Sequence, residues 1–230
     1  QALQQLWPAR CVACEGPARG RDLCGGCEAD LLRNAPACPL CAQPLAVPAL
    51  ACGRCLRKAP AFAAAWAPFR YAAPLDLLVQ RLKFGADLAA GRVLAELWID
   101  ALAGDGLEQL GVDTTTLLLP VPLARARLAE RGFNQALELT RPLARRFGLR
   151  LQAGGLRRVR ATDPQSGLDR RARQRNVHGA FVADPALRGQ RVIVLDDVVT
   201  TGATLAACAR ALHRVGAAEV RVWALARAGR

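Results

Sequence analysis

The sequence predicts an α/β fold built on a parallel sheet and preceded by a small cysteine-bearing module, and three stretches carry that prediction. In the first, Val192-Ile193-Val194-Leu195 is followed by Asp196-Asp197, a Thr/Gly turn and an apolar-periodic run from Leu205 to Val215. A continuous apolar run with turn signals after it reads as a strand buried on both faces, and the periodic run as a helix. The second stretch, Thr114 to Val121, is another apolar strand, and Leu119-Pro120-Val121-Pro122 forces its end into an extended turn. The third is a set of four Cys-x2-Cys pairs within the first 60 residues. A chain of 230 residues, 52% hydrophobic, has room for one sizeable core and a small module beside it, with the boundary expected near residue 60.

From the N-terminus, the pairs are Cys11/Cys14, Cys24/Cys27, Cys38/Cys41 and Cys52/Cys55, spaced as two similar halves. Each Cys-x2-Cys turn presents two thiolates on one side of a knuckle, and two knuckles close a tetrahedral four-sulfur zinc site with no position left for water. Two structural zinc ions are therefore expected. The first two knuckles would share one ion and the last two the other, although a cross-braced pairing satisfies the same spacing. A disulfide framework would need an oxidising compartment, for which the sequence shows no address. A segment so rich in Pro, Gly and Ala builds little core, so metal binding, on the order of 10 kcal/mol per site, would have to hold it together. The ninth cysteine, Cys208, shares helical spacing with Leu205, Leu212 and Val215 and reads as a core residue.

The Pro/Ala-rich stretch from Ala59 to Pro68 reads as a linker. From Leu75 to Leu102 the pattern is helical, with a break expected around Gly85 and Gly91. Lys83 is one of only two lysines and is read either as a solvated helix end or as a residue near the active site. Beyond the Pro122 turn come Arg125, Arg127 and Arg131, whose guanidinium forks suit a pyrophosphate. Asn134 is placed to N-cap a helix that runs to Phe147, and Pro142 inside it should kink it or mark a break.

Charge is lopsided. The net charge is +13, and the segment from Val121 to Arg175 holds fourteen arginines against Glu130, Glu138, Asp163 and Asp169. Within it, 162–167 reads as an open loop, and 169–176 carries four of those arginines. So many like charges repel unless something negative sits among them, which points to nucleic acid or phosphorylated ligands. Only 6 Phe, 4 Trp and 1 Tyr are available for base stacking, with Trp7 and Trp66 outside the obvious core strands, so contacts to a nucleic-acid backbone should dominate. No apolar run of 18 residues and no basic-then-apolar leader is seen, so neither membrane insertion nor export is expected, and the cytoplasm is the default.

The loop after the main strand has its own chemistry. Gly202 lets the backbone approach a ligand, the helix that follows offers unpaired N–H groups and a dipole, and Thr200, Thr201 and Thr204 add hydroxyls. The loop lacks the GxxxxGK[ST] of a triphosphate site, which argues against an ATPase. Asp196 and Asp197 stand where open α/β sheets bind ligands, and a carboxylate pair can accept from a vicinal diol or hold hydrated Mg²⁺. Phosphate, diol and Mg²⁺ together describe a ribose 5-phosphate derivative.

Val192 to Thr204 resembles the phosphoribosyl pyrophosphate (PRPP) motif of type I phosphoribosyltransferases. The resemblance implies a Rossmann-like parallel sheet, the ribose hydroxyls and Mg²⁺ on Asp196 and Asp197, and the 5-phosphate on Thr200, Thr201, Gly202, Ala203 and Thr204. Further segments extend it over nearly the whole chain. Lys83-Phe84, Pro120-Val121-Pro122, Arg131-Gly132-Phe133-Asn134-Gln135, Gln165-Ser166, the 173–176 run and the cysteine repeat stand in the order of the ComF (ComFC/GntX) family of competence proteins. That likeness implies a double zinc ribbon over 1–60, a phosphoribosyltransferase-like domain over 61–230, and a role in handling single-stranded DNA during natural transformation, alongside DNA-uptake or recombination proteins. It also makes Arg125, Arg131, Arg158 and Lys83 candidates for the pyrophosphate end, with PRPP as donor if transfer occurs. A phosphoribosyltransferase of nucleotide salvage, or one with another acceptor, also explains the motif but leaves the cysteine module and the basic stretch without a purpose.

Overall fold

A computed structural model describes residues 9–160 and 179–229; Trp7, the 162–167 loop with Gln165-Ser166 and the 169–176 arginine run lie outside them. Two short helices, α1 (Gly25–Ala29) and α2 (Gly53–Arg57), stand within the cysteine repeat. The core is a parallel sheet of β1 (Ala65–Trp66), β3 (Leu117–Pro120), β4 (Arg150–Leu151), β7 (Arg191–Val199) and β8 (Glu219–Arg227), in the order β1-β8-β7-β3-β4. The short β2, Phe69–Arg70, also joins β8. A separate antiparallel pair, β5 (Leu156–Arg158) with β6 (Phe181–Ala183), stands off the sheet.

The alternation of a strand explains why β7 is apolar throughout its first half. Ile193 and Leu195 enter a core shared with helices α3 (Leu75–Gly85), α4 (Leu88–Asp105) and α6 (Gln135–Phe147). Val192 and Val194 face the other way, into a core shared with α7 (Ala203–Arg214). Both faces of the strand are covered, as the continuous apolar run requires. Cys208 is fully buried in the second core.

Several elements differ from the sequence expectation. The break expected around Gly85 and Gly91 does come directly after Gly85, but it is made by Ala86, which takes a left-handed φ of 49°, and by Asp87, whose carboxylate accepts from the Ala89 and Ala90 amides. Gly91 lies inside α4 instead, where a Cβ would stand 3.1 Å from Leu82 Cδ1, so this glycine allows the two helices to come close. The helix capped by Asn134 runs through Pro142 without a break to Phe147. Pro142 itself is half-buried, while Leu139, Leu143 and Ala144 on the same helix are buried in the core and hold it in place. The strand expected over Thr114 to Val121 shortens to β3, because Asp113 accepts from Thr115 and Thr116 and ties that end into a turn.

The stretch expected to be a linker contributes an edge strand: β1 pairs Ala65 with Val222 and Trp66 with Trp223, and Phe62 and Ala67 are buried. Trp66 packs edge-on against Trp223 at 5.2 Å and donates to Asp105 at 2.8 Å. After β3, the Val121-Pro122 turn leads into α5 (Arg125–Arg131) and on to Asn134, whose Nδ2 donates back to the Val121 carbonyl at 3.0 Å. Among the described residues, no helix is long and apolar enough to cross a membrane.

Candidate functional site

At the carboxyl end of β7, successive residues leave the strand on opposite sides, yet the carboxyl groups of Asp196 and Asp197 stay within reach of each other and line one cleft. Asp197 is buried on the α3 side and forms an ion pair with Lys83 from the last turn of that helix. Asp196 is half-buried on the opposite side, where it feels the charge of Arg158, and its carboxyl group accepts from the Asp197 amide at 2.9 Å. Burial pushes the Asp196 carboxyl well above the usual carboxylate range, and the charge of Asp197 adds to that, while Lys83 offsets part of it. Burial draws the Lys83 ammonium down, but the charge and hydrogen bond of Asp197, together with the charges of Asp196 and Tyr71, outweigh it and hold the group above its ordinary value.

The strand ends at Val199, and the chain turns through Thr200, Thr201 and Gly202 into α7. Gly202 takes a φ of 76°, the left-handed region a side chain would resist, and Thr201 Oγ1 accepts from the Ala203 amide at 3.3 Å. Asp196, Asp197, Lys83 and Thr200 to Thr204 line one cleft of about 400 Å³, together with Arg127, Arg131 and Arg158. Arg131 donates to Gln135 at 2.6 Å and lies over the Phe84 ring, and Arg158 lies over Phe181.

The structure thus brings together every residue expected at the ribose, 5-phosphate and pyrophosphate positions except Arg125, which is exposed on the first turn of α5 and does not line the cleft. Arg127 lines it in its stead. On a helix, residues four apart share a face, so Arg127 goes with Arg131 and Arg125 does not; a helical reading of the segment finds this. Tyr71 also lines the cleft, and nothing in its sequence surroundings marks it.

The cysteines gather in two groups, Cys11, Cys14, Cys24 and Cys27, and Cys38, Cys41, Cys52 and Cys55, with all sulfurs of a group within 4.8 Å of one another. The pairing is therefore sequential, not cross-braced. Sulfurs of Cys14 and Cys24, and of Cys41 and Cys52, are 3.6 Å apart. Zinc–sulfur bonds of about 2.3 Å in a tetrahedron set sulfurs about 3.8 Å apart, so the donor sets fit structural zinc with no open position. Both halves repeat in detail. A left-handed residue follows the first knuckle of each, Glu15 at φ 63° and Ala42 at φ 55°, and the second knuckle of each opens a short helix, α1 or α2.

Comparison with known proteins gives two family matches: a phosphoribosyl transferase domain over residues 134–230 and a double zinc ribbon domain over residues 2–56. The chain is similar to DNA utilization protein YhgH of Salmonella typhimurium, 36% identical over 222 residues that cover 96% of this chain and 97% of that one. It is likewise similar to competence protein F of Haemophilus influenzae, 34% identical over 224 residues, covering 95% and 97%. Among solved structures, glutamine PRPP amidotransferase from B. subtilis aligns with a TM-score of 0.40 at 18% identity, over 59% of this chain and 26% of that one.

Proposed function

The chain belongs to the family that includes DNA utilization protein YhgH and competence protein F, and from that premise we propose that its cleft binds PRPP and that the protein serves the handling of single-stranded DNA in the cytoplasm during natural transformation. The observation that carries the reading is the meeting of the Asp196/Asp197 pair, the Thr200 to Thr204 turn and the cations Lys83, Arg131 and Arg158 in one cleft. Asp196 and Asp197 would accept from the ribose hydroxyls, the turn would donate to the 5-phosphate, and the two arginines would face the pyrophosphate. Mg²⁺ carried by PRPP would offset the pyrophosphate charge, and the acid pair fits it as an oxygen donor set. In a transfer, the bond from C1 to the pyrophosphate oxygen breaks, pyrophosphate leaves with that electron pair, and an acceptor bonds to C1.

A second reading keeps the cleft as a PRPP-responsive site on a single-strand-binding module without turnover. It is favoured by the excess of fourteen arginines over four acids between Val121 and Arg175. Its signature is binding to single-stranded DNA that weakens steeply with salt.

Calorimetric titration of the zinc-loaded chain with PRPP, with and without Mg²⁺, tests the site. Asp196→Asn and Asp197→Asn should each weaken binding about 10- to 100-fold, the worth of a hydrogen bond to a charged group; unchanged affinity in both would overturn the assignment. Because the Asp196 carboxyl is held above its ordinary value, it keeps its proton further into the neutral direction than a free carboxyl does. A ligand that needs the carboxylate must displace that proton, so affinity should rise with pH through the Asp196 titration, with proton release visible as a buffer-dependent heat.

A further inference from the structure

We propose that Gln43 and Arg227 form a strut through which the second four-cysteine unit positions the 5-phosphate turn. The proposal rests on the reading of that turn as a phosphate site. Arg227, at the end of β8, is only 2% exposed. Its Nη1 donates to the carbonyls of Val199 at 2.8 Å and Ala228 at 3.0 Å and also to that of Thr200, and its Nη2 donates to Gln43 Oε1 at 2.8 Å. Gln43 is itself part of the cysteine unit. Its carbonyl accepts from the Cys38 amide at 2.8 Å, and its own amide donates to the Cys41 sulfur. A run of hydrogen bonds therefore leads from two cysteines of the second group, through Gln43 and Arg227, to the first residues of the turn.

The geometry gives the strut a specific task. A trans peptide points its N–H opposite its C=O, so carbonyls of Val199 and Thr200 drawn onto Arg227 turn the N–H groups of Thr200 and Thr201 away from it. Arg227 is not among the residues that line the ligand cleft, whereas Thr200 and Thr201 are. It lines instead a second cavity of about 430 Å³ behind the turn, whose walls include Cys41 and Cys55. The arginine thus acts from behind, through the peptide groups, as a positioning residue. Loss of the metal from the second group would free Gln43 and remove one of the bonds that hold Arg227 against the turn, loosening the Thr200 carbonyl more than that of Val199, which also accepts from the Ala228 amide at 3.0 Å.

The test compares the full, zinc-loaded chain with Gln43→Ala and Gln43→Glu, the second keeping an acceptor for Arg227. Two quantities are read: amide hydrogen exchange over residues 199–206, and PRPP affinity by calorimetry, with zinc content measured alongside. With two zinc ions retained, Gln43→Ala should speed exchange in that segment and weaken PRPP binding by about 5- to 10-fold, the low end of ordinary coupling between sites. Gln43→Glu should restore both. Exchange unchanged in Gln43→Ala, or no recovery in Gln43→Glu, would overturn the strut. A wild-type chain that fails to bind PRPP would count against the phosphate reading alone, since the exchange comparison needs no ligand.

Discussion

The two four-cysteine units share spacing, knuckle geometry and helix placement, yet they are held in the molecule differently. In the first, Cys11 and Leu23 are buried in the same core as α3 and α4, and Arg81 from α3 donates to the Val12 carbonyl at 2.6 Å. In the second, Cys38, Cys41 and Cys55 make a small core of their own with Leu40, Leu45 and Ala51, Ala42 alone enters the sheet core, and Gln43 bonds Arg227, which holds the Thr200 turn. A repeated sequence has produced one local structure and two neighbourhoods. The first unit is part of the foundation of the helical layer, whereas the second keeps its cysteines in a core of its own and meets the sheet through Ala42.

The largest effect expected from this difference is on metal loss. Chelation should unfold both units, each losing binding energy on the order of 10 kcal/mol. Removing one ligand at a time separates them. Cys11→Ser should lower the thermal midpoint of the whole chain, because it opens the core that α3 and α4 share, whereas Cys55→Ser should leave the main transition close to wild type and loosen its own unit. Differential scanning calorimetry with zinc analysis reads both. Equal losses in the two variants would mean that both units are built into the main core to the same degree.

A smaller effect is expected where the second unit meets the edge of the sheet. Asn34 is buried, and its Nδ2 donates to the carbonyls of Ala42 at 2.9 Å, in the second unit, and Ala67 at 3.0 Å, beside the edge strand β1. Asn34→Ala leaves two carbonyls without that donor and should cost about 1–3 kcal/mol, measured by denaturant unfolding. A cost near zero would mean that the second unit is not anchored there.

The centre of this molecule is legible in its sequence, and its margins are less so. The strand β7, the acid pair, the turn and α7 are local, consecutive and strongly patterned, and the cysteine spacing repeats. β1 looks like linker in the sequence because two residues, Ala65 and Trp66, are too few to show alternation, and only pairing with β8 makes them a strand. Gly91 suggests a break because glycine is a poor helix former, but here it serves a close approach to Leu82. The contact between Gln43 and Arg227 joins residues 184 positions apart, and nothing local in either distinguishes it.

The smallest effect concerns what docks the first unit. Three ion pairs cross to α4 or lie beside that contact: Arg21 with Asp100 at 3.0 Å, Arg21 with Glu28 at 2.7 Å and Arg92 with Asp22 at 3.0 Å. They look like the fastening, but the Arg92 side chain is 69% exposed, and water and salt screen such a pair. Arg92→Ala should therefore cost no more than about 1 kcal/mol, and less at high salt. Leu23, 2% exposed in the shared core, has no such screening, and Leu23→Ala should cost about 2–5 kcal/mol. Denaturant unfolding of the two variants at low and high salt measures the ratio. If Arg92→Ala proved the costlier, the first unit would be held by charge and not by apolar burial, and its difference from the second would have to be explained anew.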